Sequence, residues 1–173
     1  MSADARLRDG GADFKPLFEI ALGVETFASN WAHCDKIATY VARMVSHNRT
    51  DSLLYANLFS SALNELLETA FRAHRGGGDL ACHVSRSGPV DRIELTIPCD
   101  EDLRGFYARA IEESHGNNVA ERYVAALLAD GTLDPSIGLL ELAVDYKARL
   151  SLEPGEGNAV RLVADLALEE MPA

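Results

Sequence analysis

Three oxygen-bearing side chains, Ser61, Glu65 and Thr69, recur every fourth residue in the stretch Asp51 to His74, DSLLYANLFSSALNELLETAFRAH. At helical spacing they form one polar rail. A carboxylate held on such a rail can polarise a water or coordinate an ion through water. The same glutamate also reads as a solvated flank residue paired with a neighbouring Lys or Arg, which is ordinary on amphipathic helices.

The elements that must position the rail follow from periodicity. Leu58, Ala62, Leu66, Ala70 and Ala73 repeat at helical spacing, with Leu63, Leu67 and Phe71 widening the stripe, so the stretch reads as one helix. Thr50 or Asp51 can cap its first turn, because a short oxygen acceptor satisfies amide donors that have no helical partner. Arg72, His74 and Arg75 suit the negative end of the helix dipole, and Gly76-Gly77-Gly78 then ends it. The triplet follows a helix rather than opening one, so it reads as a cap and linker and not as a phosphate cradle. Before it, Leu17 to Val24 reads as a strand with Phe18, Ile20, Leu22 and Val24 on its buried face. After a turn at Ser29-Asn30, Trp31 to His47 reads as a helix with a stripe of Ile37, Val41, Met44 and Val45 and with Trp31 as a packing anchor. Beyond the glycines, DLACHVSR and DRIELTIP alternate apolar and polar residues around a Ser87-Gly88-Pro89-Val90 loop, a hairpin that places His83 on its wet side. Asp100 to Asp130 reads as two helices broken at His115-Gly116-Asn117-Asn118, carrying Leu103, Phe106, Tyr107, Ala110 and Ile111, then Tyr123, Val124, Leu127 and Leu128. A further helix runs from Asp134-Pro135-Ser136 to Tyr146. Ala148 to Leu152 and Ala159 to Leu168 form a last hairpin, with Glu169 to Ala173 as a short tail.

The dry and wet faces of these strands favour a largely antiparallel sheet. The expected fold class is therefore α+β: a two-layer sandwich of a mixed, mostly antiparallel sheet with helices on one face. Residues 1–16 are expected to be a flexible lead-in and 17–173 a single domain, since no repeat or low-complexity linker divides the chain.

Composition narrows function by exclusion. A net charge of −11 with no basic block argues against nucleic acid and against an anionic membrane surface, and leaves room for a protein partner with basic patches. The 47% apolar content contains no run near membrane-spanning length, and the polar start MSADARLRDGGADFK lacks an apolar leader segment, so a soluble, cytoplasmic protein is expected. Cys34, Cys82 and Cys99 are odd in number and widely spaced, which fits a reducing compartment. No spacing for a structural zinc exists, and no protein-ligated metal is expected. The chain has no G-x-S-x-G elbow, no P-loop and no strand-linked G-x-G-x-x-G.

The run Asn64-Glu65-Leu66-Leu67-Glu68-Thr69-Ala70 resembles the N-box helix of the histidine-kinase-type (GHKL) ATPase superfamily, and is most similar to its small stand-alone bacterial branch of SiaB-type, anti-sigma-factor serine-kinase-like proteins. Pro135-Ser136-Ile137-Gly138-Leu139-Leu140 resembles the second glycine box of that branch, and Asp145-Tyr146 the pair that follows it. The resemblance covers roughly Trp31 to Leu168 and implies a histidine-kinase ATPase-like sandwich. It would make Glu65 the general base and assign nucleotide or magnesium contacts to Asn64, Glu68, Thr69, Ser136 and Gly138. Three positions depart from the pattern. Thr69 stands where the family has a magnesium-binding asparagine, Ser136 replaces the first glycine, and no D-x-G-x-G adenine motif is present.

Those departures favour a bacterial signalling protein that works through protein contacts, with little or no ATP turnover and no cofactor expected; a homodimer is also allowed. The alternative is an active serine protein kinase of an anti-sigma, partner-switching pathway, using ATP and magnesium. A second alternative is a phosphotransfer adaptor that takes phosphate on His33 or His47.

Overall fold

A computed structural model describes residues 13–28, 30, 32–74 and 76–171. The expected lead-in lies outside the described residues for 1–12 and is shortened at its other end, because the first strand, β1, already begins at Lys15 and runs to Gly23. A single short turn of helix, α1 (Val24–Ala28), follows. Val24, assigned from alternation to the strand, is buried at the start of that turn. Next come α2 (Ala32–Val45), α3 (Ser52–Ala73), the hairpin β2 (Asp79–Ser87) and β3 (Val90–Pro98), then α4 (Glu101–Glu113), α5 (Val119–Leu128), α6 (Ile137–Asp145), β4 (Arg149–Pro154) and β5 (Ala159–Leu166). The segment expected to be a plain tail contains a 3-10 turn, Leu168–Glu170. Ser29, Trp31, Arg75, Pro172 and Ala173, to which the sequence reading gave turn, anchor, cap and tail roles, lie outside the described residues.

The α+β sandwich is present. Its sheet has the order β1-β2-β3-β5-β4, and all four ladders are antiparallel, so the mixed pairing anticipated above is absent among the described strands. Register explains why one face is dry. Ile20, Cys82, Leu95, Leu162 and Leu152 stand side by side across the five strands, and so do Phe18, Val84, Ile93, Ala164 and Leu150. These rows belong to, or pack against, the one hydrophobic core that the helices cover. The opposite face aligns Glu19, His83, Glu94 and Val163 in one row and Arg92 with Asp165 in the next. His83 there is half-buried, with Nδ1 3.1 Å from Glu94 Oε2, rather than fully exposed.

The central helix α3 packs against α2 and α6. Asp51 caps it, accepting a hydrogen bond of 3.0 Å from the Leu54 amide. Tyr55, Phe59, Ala62, Leu63, Leu66, Leu67, Ala70 and Phe71 are buried along it. Each large side chain among them contributes about 1.5–3 kcal/mol relative to solvent exposure. Gly76 and Gly78 have φ of 107° and 111°, a left-handed backbone that turns the chain from α3 into β2 and that only glycine adopts readily. Two stripes differ from expectation. On α2 the buried set is Cys34, Ala38, Val41, Ala42 and Val45, leaving Met44 exposed, because the small Ala38 and Ala42 let the helix lie close to its neighbours. On α5 only Val119 is buried, and Val124, Leu127 and Leu128 point to solvent, because this helix packs chiefly on α6 and not on the core. No helix among the described residues is long and apolar enough to cross a membrane.

Candidate functional site

The Glu65 rail faces α6. Gly138, in the first turn of α6, sits so close to α3 that a Cβ added there would lie 2.5 Å from Thr69 Oγ1 and 3.1 Å from Glu65 Oε2. The missing side chain is what lets the two helices touch. Thr69 is accordingly buried under α6 instead of flanking the core stripe. Ser61, one turn before Glu65, lies close enough to Tyr146 at the far end of α6 to influence its hydroxyl. The N-box-like and glycine-box-like segments are therefore brought together, and they pack directly on each other with no gap of phosphate size between Gly138 and Thr69.

The other residues singled out from sequence are already engaged. Asn64 Nδ2 donates to Glu68 Oε1 at 2.9 Å, and Glu68 Oε2 accepts from Arg72 at 2.6 Å, one ladder along α3. The Asn64 carbonyl oxygen is buried without a partner. Ser136 is buried at the start of α6, where its amide donates to Asp134 Oδ1 at 2.8 Å; Asp134, not Ser136, supplies the side-chain acceptor. His33 lies in the first turn of α2 with Nδ1 3.3 Å from the Thr26 carbonyl, and His47 is exposed beyond its end. Neither histidine is among the groups that perturb Glu65. Among the described residues no group of three or more His, Cys, Asp or Glu is arranged to hold a metal.

Two groups missed from sequence complete the site. Glu141 lies three residues after Gly138, on the side of α6 that faces Glu65, and its carboxylate is an electrostatic neighbour of the Tyr123 hydroxyl from α5. Its signal was present: Glu141 is the one charged residue inside the apolar run IGLLELAV, and such a residue sits on the edge of a packed face. Burial pushes the Glu65 carboxyl above its ordinary range, and the negative charges of Glu141 and Glu68 push it further, against the pull of Arg72. Burial, then Asp145 and Glu68, raise Glu141 in the same direction, and the nearby Tyr123 hydroxyl opposes them. The site is thus electronegative and partly desolvated, a setting that raises carboxyl pKa values and, where the carboxyls are charged, opposes polyphosphate.

A pH test follows. Both carboxyls titrate higher when folded than when unfolded, near 4.3. Their neutral forms favour the fold, so this contribution is complete below that value and lost as pH rises through the raised folded values. Glu141→Gln, which removes the charge and keeps the side chain's shape, should therefore stabilise the protein at pH 7.5 by about 0.5 kcal/mol, the scale of a like-charge helical pair partly screened by solvent. Urea midpoints should show that gain at pH 7.5 and none at pH 4. An equal gain at both would mean that charge is not its source.

No family model matches the chain, and no curated protein and no solved structure matches it.

Proposed function

We propose that this chain is a bacterial, cytoplasmic signalling protein on a histidine-kinase-type ATPase scaffold, acting through protein contacts with little or no ATP turnover. The observation that carries this reading is the direct packing of Gly138 on Thr69 and Glu65. In the superfamily it resembles, the phosphates and their cation lie between the corresponding segments. Here the residues in place do not fit that group: the segments touch, and Glu65, Glu68 and Glu141 crowd the contact with like charge. Arg72, the cation felt by Glu65, is tied to Glu68. The reading is also supported by three buried, free cysteines, which suit a reducing compartment.

One observation favours the alternative of a serine protein kinase. Glu65 is retained, half-buried, with its carboxyl raised toward the range useful to a general base.

Thermal unfolding with ATP and magnesium separates the two. A ligand that binds only the folded state at a hundred times its Kd adds about 2.7 kcal/mol of stability. For a chain of this size each kcal/mol raises the Tm by about 2–4 °C. The expected result with millimolar MgATP is a rise below about 1 °C on that scale. A magnesium-dependent rise of several degrees, together with serine phosphate transfer lost in Glu65→Ala, would replace the proposal with the kinase reading.

A further inference from the structure

Helix α5 carries an apolar ridge that nothing among the described residues covers. Val119 is buried and Tyr123 and Ala126 half-buried, so these turn toward α6. Val124, Leu127 and Leu128 project the other way, exposed by 52%, 49% and 78%. At spacings of three and four they form one stripe, with a shallow hollow of about 450 Å³ beside it lined by Ala120, Glu121, Val124 and Ala125. A surface stripe of this kind on a helix that packs chiefly on one neighbour marks a contact site rather than scattered exposure.

Charge identifies what covers it. Tyr123, beside Leu127 on the helical wheel, has the carboxylates of Glu141, Asp145 and Glu65 as its charged neighbours, so one flank of the ridge is acidic. Exposed Glu121 borders the other flank, and exposed Asp130 and Asp134 follow the end of α5. Arg122 lies on the opposite side of α5 from the ridge, its guanidinium turned back onto the carbonyls of Glu113 at 2.8 Å and His115 at 3.3 Å. A second copy of the chain is a poor occupant: a twofold contact would set each acidic border against its own image. We infer that the α5 ridge docks a basic amphipathic helix of another protein, with apolar residues on Val124, Leu127 and Leu128 and Lys or Arg over the acidic borders. This rests on the contact-module reading above and supplies its surface and the chemistry of its partner.

The probe is a fluorescent amphipathic Leu/Lys peptide of about 14 residues, four helical turns, with a Leu/Glu peptide of the same pattern as control. Both are titrated with the full chain at low and high salt. The Leu/Lys peptide should bind, weaken as salt rises, and lose at least tenfold in affinity to the double variant Val124→Ser/Leu128→Ser. That variant keeps every charge, and its substitutions are exposed, so its Tm should stay close to the parent's. Equal binding by the variant would reduce the effect to bulk charge and overturn the inference. So would equal binding of the Leu/Glu peptide, or no binding of either at millimolar concentration. A parent dimer that the variant dissolves in sedimentation would hand the ridge to a second copy, and variant-sensitive binding to phosphatidylcholine vesicles would hand it to a membrane. The MgATP thermal shift is a separate readout, so docking can fail while the non-catalytic reading stands.

Discussion

Replacing Asp91 by alanine is expected to destabilise the protein by about 3–5 kcal/mol, the scale for removing one partner of a buried ion pair. Asp91 sits at the start of β3 and is fully buried. Arg86 from β2 grips it with Nε 2.6 Å from Oδ1 and Nη2 2.9 Å from Oδ2, Arg49 reaches Oδ1 at 3.0 Å, and the Tyr55 hydroxyl donates to Oδ2. Burial pushes the carboxyl up and Arg49 pulls it back toward the charged form. The node ties distant parts of the chain. Arg49 leads from α2 into α3 and also bonds Glu169 in the terminal 3-10 turn at 3.1 Å, and Arg86 bonds the Val45 carbonyl at 2.6 Å. Without the carboxylate two guanidiniums and a phenol lose their shared acceptor, and Arg49, its side chain 7% exposed, has little water to turn to. Urea unfolding measures the loss. Asp91→Asn, which retains an acceptor but not the charge, should fall between wild type and Asp91→Ala, and Tyr55→Phe should cost about 1 kcal/mol, one hydrogen bond. An Asp91→Ala protein within 1 kcal/mol of wild type on that same scale would show that the node is not a buried charge cluster.

This node also marks where reading from sequence stopped. Helices α3 and α4 and the two hairpins were legible because each carries its own local pattern: a stripe at three- and four-residue spacing, a cap at Asp51, or alternation around a turn. Asp91 follows the hairpin loop, where an acidic residue ordinarily faces water. Its burial depends on Arg49, 42 residues away in sequence, and no local period encodes that. The α5 stripe failed for the opposite reason. Periodicity reports that Val124, Leu127 and Leu128 share a face, but not whether that face meets the core or the solvent. At the candidate site, Glu65, Thr69 and Gly138 stood out in the sequence as motif-like positions, and the structure places them in contact. What stayed hidden was the tightness of that contact. It depends on how far α6 settles onto α3, which is a property of packing and not of spacing.

Gly138→Ala tests that tightness, and the sign of its effect should depend on Thr69. In an unobstructed helix, glycine to alanine stabilises by about 1 kcal/mol through backbone entropy. Here the new methyl would meet Thr69 Oγ1 at 2.5 Å and Glu65 Oε2 at 3.1 Å. The carboxylate end can swing aside, but Thr69 is buried and branched at Cβ, with few rotamers open to it. Overpacking should therefore win, for a net loss of about 1–3 kcal/mol. In a Thr69→Ala background the obstructing oxygen is gone and the propensity gain should emerge, so the same substitution should become neutral or stabilising. The double-mutant cycle isolates this, with an expected coupling of about 1–3 kcal/mol between the two positions. A Gly138→Ala protein that gains stability with Thr69 intact would mean that α6 rides higher above α3. The contact that carries most of the case against nucleotide binding would then be looser than described, and the MgATP thermal shift on the parent chain would become the deciding measurement.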